Sequence, residues 1–302
     1  MACTWTVRAC GPDAPALPGH VAAALDEVDR VDRLMSHYRP ESPLSRLNRE
    51  AARGPVAVEA ELFDFLVLCL RHGRESGGAF DVTVGPLMKA WGFFGGDGRL
   101  PGEDEREAAL ARVGYRHVVL DPRARTVRFD RPGLELDLGG IAKGYAVDRV
   151  VALLRSRGVP SALVNGGGST LYGLGASPEG GPWTVEVRDP VDPRMAAFTV
   201  RLEDRALSVS GTSERSFEQG GAAYSHVMDP RTGRPVAGIL GVAVLAATGT
   251  EGDALATAFL VEGVEAARRR LGRVSGAGAV FFLPEHGKGW RAVRLGSLGA
   301  GG

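Results

Sequence analysis

One short stretch constrains this chain more than any other: Leu-Asp-Leu-Gly-Gly-Ile-Ala-Lys-Gly-Tyr, residues 136–145. An apolar run of strand character meets a Gly-Gly pair, and a predicted helix begins at once. Paired glycines let the backbone approach a ligand closely, and the N-terminus of a helix attracts phosphate. Lys143, one of only three lysines in the chain, falls in the first turn of that helix. The pattern predicts either a phosphate-binding turn or an ordinary strand-to-helix connection with a surface lysine.

Length, composition and charge limit the classes of protein to which this chain can belong. The 302 residues suffice for one large domain or two small ones. A hydrophobic content of 44% and a charged content of 24% are typical of a soluble protein. The formal net charge is zero, which argues against nucleic-acid binding as the main function. No apolar run reaches the roughly 20 residues that a membrane span requires.

The cysteines and the N-terminal residues indicate the cellular compartment of the protein. Cys3, Cys10 and Cys69 have no metal-ligand spacing, and their odd number favours reduced thiols. The first residues carry no basic-then-apolar signal peptide. We therefore expect a cytoplasmic protein.

Predicted helices and strands follow one another without regular alternation. Helices are expected over 20–35, 59–74, 103–113, 141–157 and 251–271. Strands are expected over 3–8, 117–121, 126–130, 134–138, 161–164, 183–188, 198–202, 206–210, 242–247, 279–283 and 291–295, with a hairpin at 229–233. Pro40 and Pro43 should stop regular structure, and the passage 134–164 reads as βαβ-like. This order favours an α+β fold with mixed, largely antiparallel sheets packed against helices.

Asp253 and Thr257 are spaced four residues apart at the start of a predicted helix, so they share one helix face. A carboxylate and a hydroxyl are hard oxygen ligands that suit Mg²⁺ and do not suit zinc. The alternative is an aspartate favoured by the helix dipole and a threonine that faces the core. In either case we expect Asp253 to open the helix and not to fill a core.

His226 is the one histidine of six that lies inside a dense motif, Tyr-Ser-His-Val-Met-Asp-Pro-Arg-Thr-Gly. An imidazole beside a phosphoanhydride can take a proton from an attacking hydroxyl. The alternative is a histidine that only braces the turn at 229–233 by hydrogen bonds. The residues alone do not choose between these two roles.

Five segments together resemble a known family. They are 36–48, 78–93, 136–145, 224–235 and 253–258. In this order they resemble the ApbE-type FAD:protein FMN transferases, and the resemblance runs from residue 1 to about residue 265. It implies one domain over residues 1–295, which leaves a flexible, glycine-rich tail over 296–302.

The resemblance also implies a site. It implies FAD as substrate, Mg²⁺, and transfer of FMN to a Thr or Ser hydroxyl of a partner protein with release of AMP. His226 is the implied catalytic residue, and the backbone carbonyl of Gly140 joins Asp253 and Thr257 at the metal. FAD is expected in a crevice formed by 36–48, 78–81, 137–145 and 224–231. The implied FAD contacts are Met1, Tyr38, Ala79, Phe80, Asp81, Asp137, Lys143 and Met228.

The chain departs from the family pattern where relatives carry Asn-x-Gly-Gly-Asp. Here the segment ends in Ser169, so a carboxylate is replaced by a hydroxyl. Two alternatives therefore stay beside protein flavinylation: hydrolysis of FAD to FMN and AMP, and binding of FAD without turnover. The chain contains no acceptor motif of the type Asp-Gly-x-Thr-Gly-Ala-Thr, so self-flavinylation is not expected.

Overall fold

The computed structural model describes residues 3–274, 276–287 and 289–297. The chain forms two compact units, each discontinuous in sequence. The first unit consists of Met1–Asp32, Ile141–Gly211 and Gly238–Gly302, and the second of Arg33–Gly140 and Thr212–Ala237. The predicted contact residue Met1 and most of the predicted tail, residues 298–302, lie outside the described residues.

The helices of the described residues are α1 (Leu17–Met35), α2 (Pro43–Glu50), α3 (Ala60–Glu75), α4 (Gly85–Ala90), α5 (Glu103–Leu110), α6 (Ala142–Ser156), α7 (Gly249–Glu262) and α8 (Val264–Leu271). The strands are β1 (Trp5–Cys10), β2 (Val56–Ala57), β3 (Val118–Asp121), β4 (Thr126–Phe129), β5 (Ser161–Gly166), β6 (Thr170–Leu174), β7 (Trp183–Arg188), β8 (Ala196–Leu202), β9 (Arg205–Gly211), β10 (Ser216–Gln219), β11 (Ala222–Ser225), β12 (Met228–Asp229), β13 (Arg234–Pro235), β14 (Gly241–Ala246), β15 (Gly278–Glu285) and β16 (Gly289–Gly296).

A seven-stranded antiparallel sheet organises the first unit, in the order β1-β5-β6-β9-β14-β15-β16. Side chains of β5 alternate between its two faces. Val164 packs with Val147 and Val150 of α6 on one face. On the other face the pair β7–β8 contributes Val185 and Val200 to a second apolar cluster. The expected α+β class with antiparallel sheets is confirmed.

The second unit is built around a three-stranded sheet, β2-β4-β3, and two short hairpins, β10–β11 and β12–β13. An apolar cluster joins α4 to the loop that follows it and to β12, through Leu87, Met88, Trp91, Phe93 and Met228. In the described residues no helix combines the length and apolar character that a bilayer crossing requires. The three cysteines carry free thiols, as predicted.

The predicted strand 134–138 is wrong, and with it the βαβ-like passage. Leu134, Leu136 and Leu138 are buried as the alternation predicted, but Glu135 makes only one isolated parallel bridge, to Val84. The side chain of Asn48 takes the place of a neighbouring strand. Its amide donates to the Leu136 carbonyl at 3.0 Å, and its oxygen accepts from the Leu136 N–H at 2.9 Å.

Two helix predictions also need correction. Pro43 does not stop regular structure; it begins α2, where the missing N–H of proline does no harm. Ser42 caps that helix by accepting the Ser45 N–H at 3.0 Å. The predicted single helix over 251–271 is two helices, because Gly263 adopts φ +82° and ends α7. The strands β2, β6, β10 and β11 and the helix α4 were not predicted.

Two glycines allow α6 and α7 to touch at their first turns. A Cβ added to Gly144 would lie 2.1 Å from the carbonyl oxygen of Gly249. A Cβ added to Gly249 would lie 2.7 Å from the carbonyl oxygen of Gly144. Only glycine at both positions permits this approach.

We predict that Gly144→Ala lowers the free energy of unfolding by about 1–3 kcal/mol, the usual penalty of overpacking. Gly19 is a matched control, since it is likewise the third residue of its helix and has nothing within 4 Å of an added Cβ. Gly19→Ala should stabilise the protein by about 0.5–1 kcal/mol. Urea denaturation measures both values, and equal stabilities for the two variants would refute the close approach.

Candidate functional site

Asp253 is the acidic residue among the predicted site residues of the first unit, and it is buried. One carboxylate oxygen accepts the N–H of Gly144 at 2.7 Å, and the other accepts the hydroxyl of Thr170 at 2.8 Å. Burial raises the pKa of Asp253, and the charge of Lys143 acts in the opposite direction. The expectation that Asp253 opens a helix without filling a core is therefore wrong. It lies one turn inside α7, where its carboxylate secures the start of α6.

Asp148 of α6 makes the reciprocal contact. Its carboxylate accepts the N–H of Gly249 at 2.7 Å and the N–H of Thr250 at 2.8 Å, and also the Thr250 hydroxyl. Thr248 caps the next N–H of α7, that of Glu251, at 3.2 Å. Burial raises the pKa of Asp148 as well. Sequence reasoning missed Asp148; its only signal was its place four residues after Gly144 on the same helix face.

Lys143 lies in the first turn of α6, as predicted, and its ammonium donates a hydrogen bond to the hydroxyl of Ser169. Ser169 is buried. At the position where the resemblance expects a carboxylate, the lysine thus meets a neutral partner. Its positive charge remains available to an anionic group or to Asp253.

The donors of the first unit suit a hard cation bound together with a substrate. Each Asp253 oxygen accepts one hydrogen bond and keeps lone-pair capacity for another partner. Thr257 follows one turn later in α7 and is half-buried. Within the described residues no cluster of three or more His, Cys, Asp or Glu side chains could hold a metal. Mg²⁺ does not require such a cluster, because it is commonly held by one or two carboxylates, waters and phosphate oxygens.

In the second unit the predicted segment 79–81 turns its side chains inward. Ala79, Phe80 and Asp81 are all buried. The Asp81 carboxylate accepts the N–H of Thr83 at 2.8 Å and the N–H of Tyr115 at 2.7 Å. Burial raises its pKa. This aspartate holds backbone in place, so the main chain is the part of 79–81 left to meet a ligand.

Asp137 and Tyr38 lie together in the second unit, around a histidine that sequence reasoning passed over. Asp137 accepts the N–H of Gly139 at 2.8 Å, which shapes the turn formed by Gly139 and Gly140. The nearer oxygen of Asp137 lies 3.6 Å from Nδ1 of His37. The rings of His37 and Tyr38 are 3.9 Å apart. The signal for His37 was its place next to Tyr38 in a polar segment.

His226 follows β11 and is half-buried. Its backbone N–H donates to the carbonyl of Arg215 at 2.9 Å, and its Nδ1 lies 3.2 Å from the same oxygen. The turn that follows is held by other groups. The Gly233 N–H donates to the Asp229 carbonyl at 2.8 Å, and Trp91 Nε1 donates to the Gly233 carbonyl at 2.9 Å.

Met228 contributes its side chain to the buried apolar cluster around Trp91. Its thioether is therefore part of the packing of the second unit. As with 79–81, its backbone is the part left for a ligand.

Comparison with known proteins places these features in a family. The model of the ApbE family matches residues 1–281. The FAD:protein FMN transferase of Salmonella typhimurium is 33% identical over 298 residues, which cover 96% of this chain and 84% of that protein. The ApbE protein of Thermotoga maritima superposes with a TM-score of 0.85 at 28% identity, covering 97% of this chain and 92% of that one. The flavin transferase ApbE of Vibrio cholerae gives 0.84 at 30% identity, covering 99% and 95%.

The two hydrogen bonds of Asp253 lead to a prediction about its variants. Asp253→Ala leaves the Gly144 N–H and the Thr170 hydroxyl buried without this acceptor, so it should lower the free energy of unfolding by about 1–3 kcal/mol. Asp253→Asn keeps an amide for both contacts and removes the buried charge. It should unfold at the same temperature as the wild type or higher. Thermal unfolding without metal compares the two, and an equal loss in both variants would show that the charge itself holds the helices.

Proposed function

Since the chain belongs to the ApbE family, we propose that it transfers the FMN half of FAD to a Thr or Ser hydroxyl of a partner protein and releases AMP. The observation that carries this proposal is the arrangement of Lys143 and the buried Asp253 at the paired first turns of α6 and α7. It supplies the positive charge of Lys143 and the N-terminus of α6 for phosphate, beside a carboxylate for a cation. A protein that merely bound a flavin would need no cation at this place.

In the proposed reaction the acceptor oxygen attacks the phosphorus of the FMN half. A new P–O bond forms to the protein, the bond to the AMP phosphate breaks, and AMP leaves with the electron pair. The hydroxyl proton passes to a base. Such transfers depend on orientation and on neutralising phosphate charge, and they need no covalent enzyme intermediate.

Lys143 is the proposed phosphate-neutralising side chain. Its ammonium is held by Ser169, which as a neutral partner does not cancel its charge. The further FAD contacts proposed from the family pattern are Met1, Tyr38, Asp137 and the backbone of residues 79–81 and Met228. The inward side chains of 79–81 and of Met228 support main-chain contacts there.

Asp253, Thr257 and the carbonyl of Gly140 are the proposed ligands of Mg²⁺. Bound there, the ion would neutralise charge on the phosphates of FAD. The donor set supports this assignment, since the Asp253 carboxylate is buried and each of its oxygens keeps lone-pair capacity for a cation. In the absence of a metal, Lys143 is the principal cation that offsets it.

His226 is the proposed proton acceptor. The turn at 229–233 is closed by its own backbone bonds and by Trp91 and Arg106. These contacts weaken the alternative in which the imidazole serves mainly to brace that turn. An imidazole also titrates near neutral pH, where a general base is most useful.

In the decisive experiment, the protein is incubated with FAD, Mg²⁺ and a peptide that carries Asp-Gly-x-Thr-Gly-Ala-Thr. The mass of the peptide is then measured by mass spectrometry. We expect the peptide to gain the mass of one FMN group, joined through a phosphodiester bond, and AMP to be released in equal amount. Asp253→Asn should abolish the increase, whereas the control Asp204→Asn, at an exposed aspartate paired with Arg155, should not. Free FMN with an unmodified peptide would identify a hydrolase, and bound FAD without any product would identify a binding protein.

A second prediction separates the roles of His226. If the imidazole accepts the proton, His226→Ala should slow single turnover by roughly 10²–10⁴-fold while FAD affinity changes little. His286→Ala, at an exposed histidine, is the control and should match the wild type. Rapid quench and flavin fluorescence measure rate and affinity. A variant that loses stability and FAD affinity together but keeps its turnover rate would show that His226 only braces the turn at 229–233.

A further inference from the structure

His37 carries a polar atom that the described residues leave unsatisfied. Its Nε2 is buried without a hydrogen-bond partner, and its side chain is only 9% exposed. A buried polar group without a partner is destabilising, and natural proteins contain few of them. A ligand that supplies the missing hydrogen-bond partner would be stabilised at such a group.

Two aromatic rings cover this imidazole. The ring of Tyr38 lies 3.9 Å from that of His37, and the ring of Phe94 lies 4.4 Å away on the second unit's own loop. Tyr38 is 55% exposed. Among the described residues its side chain makes ring contacts and no hydrogen bond. The Tyr38 ring can therefore move aside without breaking a hydrogen bond.

The charges around His37 determine what its free nitrogen can do. The Asp137 carboxylate faces Nδ1 at 3.6 Å, while Glu135 is paired with Lys89 at 2.6 Å. Burial lowers the pKa of His37, with Lys89 acting in the same direction and the two carboxylates against it. A neutral imidazole that turns its N–H toward Asp137 keeps a lone pair on Nε2. That nitrogen is then an acceptor.

We infer that His37 is a further FAD-binding residue, whose Nε2 accepts a hydrogen bond from an N–H of the ligand's heteroaromatic ring once the Tyr38 ring has moved aside. Tyr38 would then lie against the same ring by aromatic stacking. The identity of the ligand rests on the proposed function. FAD offers two suitable donors, the imide N–H of the flavin and the amino group of the adenine.

Titrations of four proteins test this inference: the wild type, His37→Phe, His37→Gln and the control His117→Phe. His117 is also a histidine beside an aspartate, Asp130 at 2.8 Å, in a more exposed position. His37→Phe should weaken FAD binding about three- to tenfold, the effect of one net hydrogen bond. Its melting temperature should equal or exceed that of the wild type, because an apolar ring replaces an unsatisfied polar atom.

His37→Gln places an amide near the position of Nε2 and should restore most of the affinity, and the control should bind FAD as the wild type does. Parallel titrations with FMN and with ADP show which ring donates, since only the ligand that carries the donor should respond to His37→Phe. Unchanged affinity of His37→Phe for all three ligands would overturn the inference. So would a parallel loss of affinity and melting temperature in both His37 variants, which would make the residue a scaffold. A wild type that binds FAD but does not flavinylate the peptide would overturn the proposed function alone.

Discussion

The contact between the first turns of α6 and α7 is the constraint on which the first unit depends. Helix N-termini leave N–H groups without intrahelical partners, and here each helix lends a carboxylate to the other: Asp253 to Gly144, and Asp148 to Gly249. The exchange is possible because both N–H groups belong to glycines that touch backbone to backbone. It also brings the positive ends of two helix dipoles together near Lys143. Such a place favours anions, which stabilises the carboxylates of Asp253 and Asp148.

Aspartates that the sequence suggested as ligand contacts turn out to organise backbone. Asp81, Asp137 and Asp253 each accept at least one main-chain N–H. Two of them, Asp81 and Asp253, are buried deeply enough to raise their pKa. A carboxylate used in this way fixes glycine-rich backbone in a shape that the chain would not hold alone. Only Asp253 combines this role with the proposed binding of a cation. A bound cation would add to Lys143 as a counter-charge for its buried carboxylate.

Much of the fold and of the candidate site could be predicted from the sequence alone. The predictions that failed did so for physical reasons. The helix over α6, its lysine and the α+β class followed from local pattern. Residues 134–138 failed because alternating leucines report burial, whereas a strand also needs a neighbour, and Asn48 supplies that neighbour's hydrogen bonds from a side chain. Asp148 and His37 were missed because their roles depend on partners about a hundred residues away. No local pattern records such a distance.

The most direct test of the dual role of Asp253 is calorimetric titration of Mg²⁺ into protein saturated with FAD. If its carboxylate both joins the helices and binds the cation, the wild type should bind one Mg²⁺ per chain. Asp253→Asn should then lose that heat while keeping its fold and its FAD. An Asp253→Asn protein that binds Mg²⁺ as tightly as the wild type would contradict this account, because the buried carboxylate would then serve the structure only.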